Sequence, residues 1–142
     1  MVNSNSKLPE MRPHHSGIYV TDLESSIKWY QDKFDFTVHR RSYVEGINGK
    51  IAFLKRDGDS YIELLEVAGT PSTPEDAVLY GPKGHVGFVV NDFPRCINIL
   101  KKRGVELIRE GKFGPVSLAI LKDNSDTMIE IIEKVNPDYY EG

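Results

Sequence analysis

Over residues 13–20 short, β-branched and aromatic side chains alternate between two faces. His15, Gly17 and Tyr19 fall on one and Ser16, Ile18 and Val20 on the other, which predicts a strand. Asp22 follows as an N-cap, its carboxylate placed to accept from the free amides of the next turn. Leu23, Ile27, Tyr30 and Phe34 then recur at i, i+4, i+7 and i+11, the apolar stripe of an amphipathic helix. Further strands are predicted over residues 36–41, 50–54 and 60–67. Glu45-Gly46-Ile47-Asn48-Gly49 turns between the first two, and Asp57-Gly58 gives a hairpin signal between the last two. The element order is βαβββ.

The pattern then repeats. His85-Val86-Gly87-Phe88-Val89-Val90-Asn91-Asp92-Phe93 is a version of His15-Ser16-Gly17-Ile18-Tyr19-Val20-Thr21-Asp22-Leu23, 70 positions later. Ile97 answers to Ile27 and Leu100 to Tyr30, on a helix that Asp92 caps and Gly104 is placed to end in a left-handed conformation. Strands are predicted over 85–90, 105–109, 116–121 and 127–134, with Gly111 to Pro115 as a loop and Asp123-Asn124-Ser125 as a turn. The ends match too: Tyr61-Ile62-Glu63-Leu64-Leu65-Glu66 corresponds to Met128-Ile129-Glu130-Ile131-Ile132-Glu133 at an offset of 67. Self-similarity of this kind means two copies of one supersecondary unit. The expected fold is α+β: a single domain over residues 1–142 made of two tandem βαβββ modules, 11–68 and 83–135. A linker at 69–82 joins them, carrying Pro71, Pro74 and Pro82 and room for a short helical turn. The polar segment 1–10 and the tail 136–142 carry no assignment.

Composition narrows the function classes. At 39% hydrophobic and 27% charged residues the chain reads as globular. A net charge of −3, with no Lys/Arg-rich run, offers no footprint for nucleic acid. No apolar run reaches the roughly 18 residues of a membrane span, and the N-terminus lacks the apolar core of a secretory signal. The single cysteine, Cys96, fits a reducing compartment, so a cytoplasmic location is expected.

The chemistry-bearing residues lie at repeated positions. Glu63 and Glu130 each sit in an apolar strand, with Tyr61 and Leu65, or Met128 and Ile132, on their own face. An unpartnered carboxylate there is unfavourable. His15 and His85 open the two modules, and Gly17 and Gly87 leave space two residues on. Taken singly, each of the four reads as a hydrogen-bonded core or edge residue. Together they are two His and two Glu at pseudo-symmetric places, the mixed nitrogen and oxygen set that suits zinc, nickel, cobalt or iron(II).

The His-x-Gly-aliphatic openings, the Asp-Leu and Asp-Phe behind them, and the Ile-Glu-Leu and Ile-Glu-Ile endings resemble the vicinal oxygen chelate superfamily. That group includes glyoxalase I, methylmalonyl-CoA epimerase, extradiol dioxygenases and the fosfomycin and bleomycin resistance proteins. The resemblance spans residues 13–135 and implies one curved, partly closed mixed sheet with the helices outside. Carried over position by position, it makes His15, Glu63, His85 and Glu130 the ligands of one divalent metal ion (zinc, nickel, cobalt, manganese or iron(II)). It makes Glu130 the catalytic base as well. Glyoxalase I enzymes of bacterial type use this His-Glu-His-Glu set, so the resemblance implies a lyase or isomerase that moves a proton next to a metal-bound carbonyl through an enediolate.

Two departures bear on the substrate. The arginine and the asparagine that help bacterial glyoxalase I hold glutathione are replaced by Tyr19 and Val67, which argues against a glutathione-linked substrate. The segment from Glu45 to Ile51 loosely resembles the epimerase segment carrying a second acid/base glutamate, which sets Glu45 as a second base against Glu45 as a turn residue. Arg40, Arg41, Lys55 and Arg56 could hold an anionic substrate group or form a solvated rim, and Cys96 reads as a packed thiol. The rival readings are a methylmalonyl-CoA epimerase-like enzyme, an oxygen-using enzyme on the same scaffold, and a metal-free binding protein of the bleomycin-resistance kind. The expected partners are a small-molecule substrate and a second copy of the chain, because exposed sheet edges in a small curved unit are commonly covered. Whether the four ligands meet within one chain or across two is open at this point.

Overall fold

The computed structural model describes residues 13–45, 48–68, 85–113 and 116–134, with Lys7 and Pro9 and without the side chain of Phe113. The expected linker at 69–82 and the two terminal segments lie outside the described residues.

The first module runs β1 (His15–Tyr19), α1 (Leu23–Phe34), β2 (Thr37–Val44), β3 (Gly49–Lys55) and β4 (Tyr61–Val67). The second runs β5 (His85–Val90), α2 (Phe93–Lys102), β6 (Glu106–Phe113), β7 (Val116–Lys122) and β8 (Met128–Glu133). The α+β class and the two tandem βαβββ modules are as the repeat predicts. Each module forms a four-stranded mixed sheet, ordered β1-β4-β3-β2 and β5-β8-β7-β6. The first strand pairs parallel with the last, and the other pairings are antiparallel. Among the described residues the eight strands thus form two four-stranded sheets and no closed barrel.

Both helices begin as the sequence dictates. The Asp22 carboxylate accepts from the Ser25 amide at 2.8 Å and that of Asp92 from the Arg95 amide at 3.2 Å. Gly104 takes φ +80° just beyond α2, and the Val105 amide reaches back to the Leu100 carbonyl at 3.0 Å, a left-handed helix ending that glycine adopts without strain. The stripes Leu23, Ile27, Tyr30 and Phe34, and Phe93, Ile97 and Leu100, are all buried. They pack with Ile18, Leu54, Ile62, Leu64, Ala119, Leu121, Ile129 and Ile131 in one core that draws on both modules.

Beyond this shared core, polar contacts tie the modules together. The Tyr30 hydroxyl donates to the Asp123 carboxylate at 2.7 Å, and both groups are buried. The Asp123 carboxylate also accepts from the backbone amides of Ser125 and Thr127, so the expected turn at 123–125 is held as a buried cap against α1. Burial first, then the charge of Asp123, pushes the Tyr30 phenol well above its ordinary range. At the other end of α1, Arg103 donates to the Lys33 carbonyl at 3.0 Å and meets the Asp35 carboxylate at 3.1 Å. Phe34 and Phe36 pack on Phe88 of β5.

β2 and β6 both outrun their predicted ends. β2 continues through Val44 and β6 through Phe113, so that Gly111, expected in a loop, pairs with Leu118. The described side chains of the added stretches are exposed or half-covered on edge strands, where backbone pairing rather than one-sided burial sustains the ladder. Among the described residues no helix is long and apolar enough to cross a membrane.

Candidate functional site

Strand register brings each predicted histidine to its glutamate. Gly17 lies opposite Glu63 in the β1–β4 ladder, and Gly87 opposite Glu130 in the β5–β8 ladder. Because Ile62, Leu64, Ile129 and Ile131 take the helix side, the two acids and the two histidines share the other face of their sheets. Nε2 of His15 lies 3.9 Å from Oε2 of Glu63, and Nε2 of His85 lies 3.5 Å from Oε2 of Glu130. In each pair the carboxylate is largely covered, at 15% and 13% exposure, while the imidazole is open, at 40% and 41%. A Cβ on Gly17 would stand 3.9 Å from the Glu63 carboxylate, so the glycine gives that side chain room to lie across β1.

The four residues come together as two pairs, not as a set of four. Among the described residues no group of three or more His, Cys, Asp or Glu side chains is gathered closely enough to hold a metal ion. Convergence on one ion within a single chain is therefore not what the structure shows.

His14 supports the first pair, and the sequence pattern did not single it out. Its Nδ1 lies 2.8 Å from Nδ1 of His15, so one ring donates to the other and Nε2 of His15 is the nitrogen left facing Glu63. Tyr61, Phe53 and His39 cluster beside it, with His14 and His39 ring centroids 5.1 and 4.9 Å from that of Tyr61. The second module has no matching aromatic wall in sequence: Ile120 and Met128 stand where Phe53 and Tyr61 do at the offset of 67.

The same-face rows extend outward. Gly17, Glu63, Phe53 and Arg40 are successive cross-strand partners, and so are Gly87, Glu130, Ile120 and Arg109. Arg109 stands 69 positions after Arg40, between the two offsets of the repeat, and carrying that repeat through the second strand of each module would have revealed the pair. Glu45 is exposed at the end of β2, where its carbonyl accepts from the Asn48 amide, and Val44 beside it pairs with Gly49 rather than near Glu63. That favours the turn reading of Glu45. Cys96 is partly covered and its thiol is pushed up, chiefly by burial, as expected of a packed thiol.

The sequence profile of the glyoxalase/bleomycin resistance protein/dioxygenase superfamily matches residues 14–117. The chain belongs to that superfamily. Among solved structures, a glyoxalase family protein from Enterococcus faecalis is 21% identical over 86% of this chain and 97% of its own, with a TM-score of 0.71. The trypanothione-dependent glyoxalase I of Leishmania major is 25% identical over 87% of each chain, with a TM-score of 0.67. Glyoxalase I from Zea mays is 22% identical, with a TM-score of 0.68, over 88% of this chain and 45% of its own. No curated protein matches the chain.

The geometry of the pairs fits the metal that glyoxalase I-like members of this superfamily use. Separations of 3.5 and 3.9 Å are too long for a direct hydrogen bond. Two ligand atoms about 2.1 Å from one tetrahedral ion stand about 3.4 Å apart, a spacing that the second pair matches at 3.5 Å and the first exceeds at 3.9 Å. One imidazole nitrogen and one carboxylate oxygen are half of a mixed donor set, and each pair lies on an open face.

Proposed function

We propose that the protein is a divalent-metal-dependent lyase or isomerase of glyoxalase I type, acting on a substrate that is not glutathione-linked. His15, Glu63, His85 and Glu130 hold the ion, which is zinc, nickel, cobalt, manganese or iron(II). The observation that carries this is the identical pairing of His and Glu, in the same register and on the same face, in both modules. When bound, such an ion supplies Lewis acidity that lowers the pKa of a C–H next to a substrate carbonyl. Glu130 takes that proton and returns it to the neighbouring carbon, a role that its largely covered position, close to the substrate and out of bulk water, favours. Tyr19, half-exposed on the His15 face, offers contact to an uncharged part of the substrate where a glutathione-binding arginine would stand.

Because each chain carries two separate pairs, we further propose that a cytoplasmic homodimer completes the site. The first pair of one copy faces the second pair of the other. Tyr19 and Val89, 49% and 65% exposed beside the two pairs, supply apolar surface for that contact. That no group of three donors gathers among the described residues also favours a second reading, a metal-free binding protein of the bleomycin-resistance kind.

Metal analysis separates the two readings. Protein purified without chelators and dialysed against each metal should bind one divalent ion per chain. His85→Ala should weaken that binding at least about tenfold, and Glu130→Gln should weaken it less. Mixing His15→Ala with His85→Ala then tests the dimer. If sites form across copies, a mixed dimer has one site with both histidines and one with neither, so binding returns to about a quarter of all sites. Sites closed within one chain would give no recovery. Dimeric wild-type protein that holds no metal would establish the binding-protein reading instead.

A further inference from the structure

We infer that the substrate is a small acid whose carboxylate or phosphate group is held by Arg40 and Arg109, a pair of arginines that the fold aims at the metal-ligand face. This rests on the proposed metal site and names the class of molecule it takes.

A backbone irregularity shared by both modules carries the inference. Val38 pairs with Leu54, a buried residue on the helix side, and strict alternation would send Arg40 to that same apolar face. The β2–β3 register shifts between Val38 and Arg40, so that His39 becomes the extra residue and Arg40 pairs with Phe53, beside Glu63. The second module repeats this step for step. Leu107 pairs with buried Leu121, the register shifts before Arg109, and Arg109 pairs with Ile120, beside Glu130. A bulge re-aims a side chain, and here it aims the same side chain at the same face twice. Backbone pairing on an edge strand does not require it.

Among the described residues nothing else uses the two guanidinium groups. Arg41, the next residue, turns to the helix side and pairs with Glu24. Arg40 and Arg109 are exposed and form no ion pair among the described residues. Each stands two strand spacings from its glutamate, about 10 Å between backbones, with Phe53 or Ile120 as an apolar floor between. A divalent ion offsets the charges of Glu63 and Glu130, leaving the two arginines, and Lys55 over the Tyr61 ring at 5.5 Å, to make this face positive in a chain whose net charge is −3. A molecule with vicinal oxygens at one end and an anionic group a short linker away fits that row. Arginine holds carboxylate and phosphate alike through paired N–H donors.

The test uses metal-loaded full-length protein and calorimetric binding of three probes. They are succinic monohydroxamate, its uncharged methyl ester, and the hydroxamate with a phosphonate in place of the free carboxylate. The hydroxamate oxygens chelate the ion in all three, and only the tail differs. The free acid is expected to bind at least about tenfold tighter than the ester, a preference lost in Arg40→Gln or Arg109→Gln and kept in Arg41→Gln. Thermal melting confirms that the variants are folded, and Arg→Lys at either position should keep part of the preference. A phosphonate that outbinds the carboxylate assigns the anion as phosphate. Equal binding of acid and ester in the wild type, or a preference that survives loss of both arginines, overturns the inference and leaves the metal site standing. Failure to bind metal or any of the three probes sinks both.

Discussion

Replacing Tyr30 with Phe tests the contact that fixes the two modules, and so the two His–Glu pairs, relative to one another. The substitution removes one hydroxyl from a fully buried ring and leaves no cavity of consequence, so the packing of α1 is preserved. What is lost is the donor at 2.7 Å to the Asp123 carboxylate, which keeps the Ser125 and Thr127 amides on its other oxygen. A hydrogen bond to a charged group contributes about 1.5–3 kcal/mol, and burial of Asp123 argues for the middle of that range, about 2 kcal/mol. For a chain of this length that is a fall in Tm of about 6 °C. Urea denaturation of the wild type, Tyr30→Phe, Asp123→Asn and the double variant gives the coupling directly, expected at about 1 kcal/mol or more. The pH dependence has a defined sign. Burial and the charge of Asp123 raise the phenol above its ordinary value, so the folded state keeps a proton that the unfolded state releases near pH 10. The contribution is complete below about pH 10 and is lost as pH rises towards the folded value, so the gap between wild type and Tyr30→Phe should narrow in that window. A difference under about 0.5 kcal/mol at neutral pH, or a gap that stays constant through pH 11, would refute the role given to this contact.

Two further outcomes follow from the geometry of the faces. Gly17→Val should fold yet bind metal more weakly, because its Cβ already meets Leu65 at 3.4 Å and a branched side chain crowds the Glu63 carboxylate. Gly87→Ala, with only the Glu130 carbonyl at 3.9 Å, should be close to neutral, and metal titration beside thermal melting checks both. Val89→Glu places a charge at a 65% exposed apolar position beside the second pair. Sedimentation should show a shift toward monomer and a parallel loss of metal affinity, and metal binding by a fully monomeric variant would rule out sites shared between copies.

The parts of the fold that were legible in the sequence are those where one face is buried and the other is not. The α1 and α2 stripes, the Asp22 and Asp92 caps and the inner strands all follow from that asymmetry. β2 and β6 were predicted but cut short, for the opposite reason. They are edge strands with polar residues on both faces, and the bulge at His39 and at Ile108 breaks the period of two within each predicted span. The Asp123–Ser125 turn was read correctly as a turn, but not as a buried partner of Ser26 and Tyr30. That contact joins residues 93 positions apart, and no local pattern carries it. At the site, repetition picked out both His–Glu pairs, because a charged residue among apolar neighbours stands out. It left Arg40 among four basic residues that could hold an anion or form a solvated rim and did not single out Arg109, because an arginine on an exposed edge looks like any other surface charge until register shows which face it takes.

The donor count of each pair argues for the joining of two. One imidazole and one carboxylate bring a single negative charge, which leaves a divalent ion half neutralised and most of its coordination to water. Two pairs bring two nitrogens, two oxygens and two charges, enough to hold zinc in a tetrahedron or to leave further positions open on a larger coordination sphere. Among the described residues no module gathers a third donor at its pair, since the parallel β1–β4 and β5–β8 ladders each bring one His and one Glu to the face. The proposed dimer would answer this: each chain carries one pair of each kind, so a two-fold arrangement would match first to second pair twice over and make two equal sites. In that dimer the two walls of a site would differ, with His14, Phe53 and Tyr61 beside the first pair and Ile120 and Met128 beside the second. Such asymmetry would give two halves built on one pattern a single preferred direction for a substrate, with Glu130 on the aliphatic side.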